Sequence, residues 1–478
     1  MDYSQFLNMP QELGLLLVFL LVFLYDLFLP KKAQSGLAAF TAVVFGVFTI
    51  AAPFMTAAPA FSGMFEGNTA TSAVKCVLNI GMLIVLVQSV KWANSEFITV
   101  RRGEFYSLLL VTLLGMYFMV SARHFLLFII GLEMASLPIA ALVAFDKRRY
   151  ESHEAAAKYL FTAIFSSAVL LMGLSFVYAL SGSLYFDDIA YCVIGDTSAL
   201  LIVALAFVIA GIGFKLSLVP FHLWTADVYQ GAPTSVTSYL SVISKGAAAF
   251  SFLVVLSQAF GAVYSQVWEW MLYALIILTI TIGNLFAIRQ TNLKRFLAFS
   301  SISQAGYIVL GVIACSALGM TSLMFYVLVY IFSNLAAFGV IQAIENNCGK
   351  VNIDDYNGLY KTNPMLSVAM MLAMFSLAGI PPFAGFFSKF FIFTSALQVG
   401  TVSMYVLVLI ALINTIVSLY YYLLVVKAMF IHQDDCVIAP FKSALSERIA
   451  LLVCVIGIIL IGIVPFFYTF LEAASVLA

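Results

Sequence analysis

Apolar runs of about twenty residues, each followed by a short polar turn, succeed one another from residue 12 to residue 474. A helix needs about that many apolar residues to cross the hydrocarbon core of a bilayer. Only 9% of the chain is Asp, Glu, Lys or Arg, and 64% is hydrophobic. A soluble domain carries about 25% charged residues, so this chain is read as an all-α polytopic membrane protein. About fourteen spans are expected, near 12–30, 37–57, 74–95, 104–121, 123–145, 154–181, 197–223, 233–258, 266–288, 295–314, 318–345, 363–395, 402–429 and 447–474.

Several chemistries are disfavoured at the outset. The net charge is zero, which provides no footprint for nucleic acid. The six cysteines form no CxxC pair, so neither a metal-site spacing nor a disulfide framework is present. Gly211-Ile212-Gly213 lies within an apolar run and is no nucleotide fingerprint. The pairs Asp187-Asp188, Asp354-Asp355 and Asp434-Asp435 fall in loops and are read as solvated. The first lysine is Lys31, so the chain starts without the basic region of a secretory signal.

Alternating the spans across the membrane segregates the cations. One set of loops collects Lys31, Lys32, Arg101, Arg102, the Lys147–Arg149 run, Lys294 and Arg295, among others. The other holds Arg123, Lys75 at a span edge, and acids such as Glu66 and Asp187. Basic loops stay in the cytoplasm, which predicts both termini on the outer side.

Four charges interrupt the apolar runs: Glu133, Lys215, Lys245 and Lys389. A lysine at bilayer depth costs roughly 2.5 kcal/mol or more, and such residues usually mark ion pathways. Glu133 lies about 15 Å into its span, and Lys245 about 18 Å beyond Pro233, both near the midplane. Moving one proton against roughly 180 mV takes about 4 kcal/mol. A change of about three units in a group's acidity covers that amount. Lys158, beside Glu154, fits a surface ion pair as well as a functional role. His222 follows Pro220 near the cytoplasmic end of its span and fits a relay or an interfacial position. The hydroxyls of Thr234, Ser235, Thr237, Ser238, Ser241 and Ser244 crowd the span beneath Lys245, where they order water or pack helices.

Two spans are expected to break. The seventh contains Lys215-Leu216-Ser217-Leu218-Val219-Pro220, and the twelfth contains Gly379-Ile380-Pro381-Pro382. Proline removes a backbone donor, and inside lipid the freed carbonyls must face protein or a water-filled cavity. Each broken span is the fourth of a set of five, spans four to eight and nine to thirteen. An odd count inverts the second set, the pattern of inverted repeats. The division expected is 1–103, an N-terminal three-helix segment; 104–258, the first repeat; 259–432, the second repeat; and 433–478, the last helix.

The stretches Gly213-Phe214-Lys215 through Pro220-Phe221-His222-Leu223-Trp224, Asp227-Val228-Tyr229-Gln230-Gly231-Ala232-Pro233, and Gln290-Thr291-Asn292-Leu293-Lys294-Arg295 with Ser300-Ser301-Ile302-Ser303 carry a resemblance. They resemble the antiporter-like, proton-translocating subunits of NADH:quinone oxidoreductase (respiratory complex I), of the N type, over essentially the whole chain. The resemblance implies fourteen helices with two inverted five-helix units. It implies a Glu133–Lys215 pair, Lys245 as central relay and Lys389 as terminal proton site, with Lys158 at a family position near the glutamate. It implies a non-redox subunit, with NAD, FMN, iron–sulfur clusters and quinone in partner subunits. It places the chain in a bacterial inner membrane among neighbouring antiporter-like subunits. Many relatives read Ser-Ile-Ser-His where this chain reads Ser301-Ile302-Ser303-Gln304, and Gln304 does not titrate. The alternative is a subunit of a multi-chain cation/proton antiporter, which shares the module.

Overall fold

The computed structural model describes residues 3–28, 36–96, 98–431 and 438–476. Lys31, Lys32, Asp434, Asp435 and Cys436 lie outside the described residues. Within them the fold is helical, with four isolated β-bridges and no strand. The helices are α1 (Pro10–Phe28), α2 (Leu37–Ala51), α3 (Thr69–Ala93), α4 (Arg102–Val120), α5 (Phe125–Val143), α6 (Tyr150–Ser181), α7 (Phe186–Cys192) and α8 (Ala199–Leu216). They continue with α9 (Leu223–Gly231), α10 (Thr234–Tyr239), α11 (Lys245–Val254), α12 (Glu269–Ala287), α13 (Leu293–Ile313) and α14 (Ala317–Cys348). The last are α15 (Leu359–Thr362), α16 (Pro364–Ala378), α17 (Ala384–Leu397), α18 (Val402–Phe430), α19 (Leu445–Ile463) and α20 (Phe466–Val476).

Among the described residues thirteen helical segments are long and apolar enough to cross a membrane, and two shorter apolar helices, α16 and α17, follow one another across the Gly379–Phe383 break. Side-chain caps set many of the starts. Asn68 and Thr71 form a reciprocal capping box at α3, and the Asn292 carboxamide accepts from the Lys294 and Arg295 amides at α13. Glycines in the left-handed region, Gly182 and Gly349, end α6 and α14.

The bundle centres on α13 and α14, which are buried throughout their apolar windows, and on the α10–α11 crossing. Helix α14 packs on α3, α13, α16, α17 and α19. Helices α1, α2, α6 and α18 lie at the periphery, exposing leucines, valines and aromatics. That distribution suits a protein whose outer solvent is hydrocarbon. A wide, π-type turn at Leu240–Ser244 joins α10 to α11 immediately before Lys245. Such turns displace one residue from the helical ladder and occur frequently at functional sites.

Three placements correct the sequence reading. After the seventh crossing, Leu223–Gly231 forms a helix, α9, where a polar turn was expected. Asp227 and Gln230 gave α9 a loop-like polarity, but Lys158 and Arg295 engage Asp227. Lys75 is at no span edge. It is fully buried on α3, its ammonium 2.6 Å from the Glu12 carboxylate on α1 and over the rings of Phe65 and Tyr117. Lys294 is no loop cation either. It is buried in the first turn of α13, donating to Ala232 O and Thr234 Oγ1 at 3.1 Å and lying 3.3 Å from Glu345.

Removing one partner of a buried ion pair strands the other and costs about 3–5 kcal/mol, whereas replacing both with apolar groups is often neutral. Lys75→Ala is therefore expected to reduce incorporation of this chain into its complex. Glu12→Leu combined with Lys75→Met is expected to restore most of it. Native-gel quantification of the assembled complex in the two strains checks this.

Candidate functional site

The seventh crossing stops where Ser217 turns left-handed, at φ 63°, and Val219-Pro220 follows as a cis peptide. Lys215 is in the last turn of α8 and is buried. Its ammonium crosses to α5, donating to Ala135 O at 3.1 Å and Ser136 Oγ at 2.7 Å. Pro138 lies inside α5 and supplies no donor to the carbonyl four residues earlier. The Lys215 ammonium thus docks on a turn of α5 whose backbone ladder is already interrupted. Trp224 Nε1 caps the end of α8 through Phe214 O at 3.2 Å.

Glu133 sits on the same α5 turn as these acceptors and is half-buried. The direct contacts of Lys215 are nonetheless a carbonyl and a hydroxyl, not the Glu133 carboxylate. Tyr159 is fully buried beside Phe214 and Trp224.

Lys245 opens α11 just after the wide turn. It is buried and donates to Ser301 of α13, at 2.7 Å to Oγ and 3.2 Å to the carbonyl. The Tyr229 ring lies beneath it, with the centroid 5.6 Å away.

Lys389 lies on α17 beyond the twelfth-crossing break, where Gly379 turns left-handed (φ +87°) and Pro381-Pro382 is cis. Ending α16 at Ala378 frees carbonyls that no helical amide reaches. The Lys389 ammonium takes two of them, Leu377 O at 3.0 Å and Ala378 O at 3.1 Å, and lies over the Tyr307 ring. The negative end of the α16 dipole therefore points at this cation.

Gln304 stands between the last two lysines. Its Nε2 donates to Leu377 O at 3.3 Å, the carbonyl Lys389 also uses, and to Tyr422 OH at 3.1 Å. Its Oε1 accepts from Tyr326 OH. Tyr422 OH is 2.5 Å from Ser300 Oγ, next in sequence to the Ser301 that holds Lys245. A small cavity of about 10 Å³, lined by Gln304, Tyr326, Tyr330, Ser333, Ser376 and Lys389 among others, adjoins this group. It has room for about one water and several polar partners for it.

The two further candidates lie apart from these contacts. Lys158 is 43% exposed on α6, pairing with Glu154 at 2.7 Å and Asp227 at 2.6 Å. Arg295 reaches the same Asp227 at 2.6 Å, so one carboxylate ties α6, α9 and α13 together. His222 is half-buried at the start of α9, just after the seventh-crossing break. Ser301, Tyr422, Tyr326 and Tyr229 escaped the sequence reading. Ser301 stood in a quoted motif, but nothing in the chain pairs it with Lys245, 56 residues away.

Residues 122–418 match the family described as NADH:quinone oxidoreductase/Mrp antiporter, TM. The chain is 52% identical to the NADH-quinone oxidoreductase subunit N of Phocaeicola vulgatus over 478 residues, all of both chains. It is 36% identical to that of Desulforamulus reducens over 459 residues, 95% of this chain and 94% of the relative. The chain belongs to the NADH-quinone oxidoreductase subunit N family. A chain of respiratory complex I from Thermus thermophilus superposes with a TM-score of 0.80 at 30% identity, over 95% of this chain and 97% of that one. A chain of the Mrp complex from Dietzia sp. shares the fold, with a TM-score of 0.83 at 20% identity, over 100% and 98% of the two chains.

In this subunit N family member a methyl group at Gly379 would lie 3.1 Å from Lys389 Cδ, at a φ that L-residues rarely adopt. Gly379→Ala is expected to cost about 1–2 kcal/mol in backbone strain and to move the ammonium off Leu377 O. A cryo-EM map of the variant complex checks the displacement.

Proposed function

We propose that this chain is a proton-translocating membrane-arm subunit of a bacterial NADH:quinone oxidoreductase, and that Glu133, Lys215, Lys245 and Lys389 form its mid-membrane relay. NAD, FMN, iron–sulfur clusters and quinone belong to partner subunits, whose quinone reduction drives the relay. Neighbouring antiporter-like subunits flank the chain in the bilayer. Both termini face outward and the basic loops face the cytoplasm. The working halves are 104–258 and 259–432, preceded by 1–103 and followed by 433–478. In each half the fourth crossing is broken and its lysine sits beside the break, which supports the division.

The observation that carries the proposal is the nature of the lysine partners. Lys215, Lys245 and Lys389 all donate to carbonyls, and two of them to serine hydroxyls as well. Such a lysine can release its proton without stranding a buried carboxylate, the step that makes breaking an ion pair expensive. Glu133 biases Lys215 electrostatically from the same α5 turn. Between Lys245 and Lys389 the polar groups run through Ser301, Ser300, Tyr422 and Gln304. Gln304 organises hydroxyls and a water-sized space, and the proton passes on these, since its amide does not titrate. Lys158 and His222 play supporting roles at the flank and just after the seventh-crossing break.

Lys215→Ala and Lys389→Ala are expected to leave assembly and electron transfer from NADH to ferricyanide intact. Each is expected to lower proton pumping coupled to quinone reduction in proteoliposomes. Full pumping by both variants would contradict the assignment.

A further inference from the structure

The α10–α11 crossing packs against α3 and α14 along a seam that passes the backbone of Lys245, whose ammonium turns from it to Ser301 on α13. Its two halves differ in chemistry. Toward the basic loops it is polar. Glu345 of α14 receives Arg149 at 2.9 Å and Lys294 at 3.3 Å, and accepts from Thr234. Deeper, Gln342 donates to Ser235 Oγ at 2.9 Å, and Asn334 donates to Ser241 Oγ at 2.8 Å, one turn before Lys245. Polar pairs thus recur along α14 at Glu345, Gln342 and Asn334, the last engaging Ser241 one turn before Lys245.

Beyond Lys245 the seam changes. Gly246 is followed by an apolar constriction of Val74, Leu78, Phe250, Leu323, Met324 and Val327, with about 10 Å³ of free space. A methyl at Gly246 would approach Val327 Cγ1 to 2.7 Å, so the walls meet closely there. Beyond it opens a vestibule of about 250 Å³ between the ends of the helices, lined by Glu66, Asn68, Arg123, Gln258 and Ser316 among others. Glu66 and Arg123 pair at 3.0 Å on its wall. Phe250 lines both spaces. The three helices wall the constriction, which includes Gly246 next to Lys245, and the vestibule beyond it is closed by the Glu66–Asn68 segment, the α4–α5 turn and α20 as well.

Small apolar cavities stay dry, and hydrophobic constrictions close pores by dewetting. We propose that this constriction is a gate on a second route to Lys245. Closed, it isolates the lysine from the vestibule; when hydrated, it lets water carry a proton between them. The gate rests on the reading of Lys245 as a proton carrier. A polar path on one side and a dry barrier on the other is what one-sided access to a carrier requires, because a seam wet throughout would short-circuit the membrane.

The test adds hydroxyls to the constriction with little change of shape, as Val74→Thr with Val327→Thr in the intact complex, and Met324→Gln separately. Passive proton flux is measured in proteoliposomes under an imposed potassium diffusion potential, without NADH. The expected result is a several-fold higher leak in at least one assembled variant, returned to the wild-type level by adding Lys245→Ala. Membranes as tight as wild type in both assembled variants would overturn the gate. A leak that survives Lys245→Ala would overturn its connection to the lysine. If the constriction variants stay tight while Lys215→Ala and Lys389→Ala lose pumping, the gate fails and the relay stands. If the leak appears and depends on Lys245 while those two variants pump fully, the relay fails and the gate stands.

Discussion

A cation buried in a lipid-facing bundle must find oxygen atoms, because hydrocarbon offers none. This chain meets that demand in two ways. Lys75 and Lys294 each take a carboxylate, from Glu12 and from Glu345. Lys215, Lys245 and Lys389 take carbonyl and hydroxyl oxygens. The first kind ties helices together and resists discharge. The second can exist charged or neutral without leaving an opposite charge unpaired.

The helix breaks follow from the same demand. In a continuous helix each carbonyl already serves its own amide and offers a lysine only its second lone pair, as Ser301 O does for Lys245. Stopping α16 at Ala378 releases Leu377 O and Ala378 O, and Lys389 collects both. At α5 the interruption is Pro138, and Lys215 docks on the neighbouring turn. At Lys245 the wide turn of residues 240–244 shifts the ladder just before the lysine, and the acceptor comes from Ser301 on another helix. Local backbone irregularity and buried charge are one design feature in three forms.

Much of this was legible in the chain. Apolar runs marked the crossings, and prolines beside small residues marked both breaks. The lysines announced themselves as charges inside apolar runs. What stayed hidden depends on contacts distant in sequence. Glu12 opens α1 and reads as an ordinary first-turn acid, so nothing pairs it with Lys75 on α3. Lys294 looks like one more loop cation until α14 folds Glu345 against it. Asp227 made α9 look like a loop, since its polarity is answered by cations on α6 and α13. Gln304 was visible as a departure from many relatives, but its shared carbonyl with Lys389 arises only once α16 breaks beside α13.

The central claim is that the carbonyl-held lysines serve by exchanging protons and not merely by carrying charge. Arginine separates these, because it retains the positive charge and the donors but is effectively never deprotonated. The most direct measurement is the number of protons pumped per NADH oxidised by the complex carrying Lys389→Arg, reconstituted in proteoliposomes. The account predicts a stoichiometry as low as that of Lys389→Ala, with ferricyanide reduction unchanged. A wild-type stoichiometry in Lys389→Arg would contradict it and leave Lys389 as a structural cation on the broken end of α16.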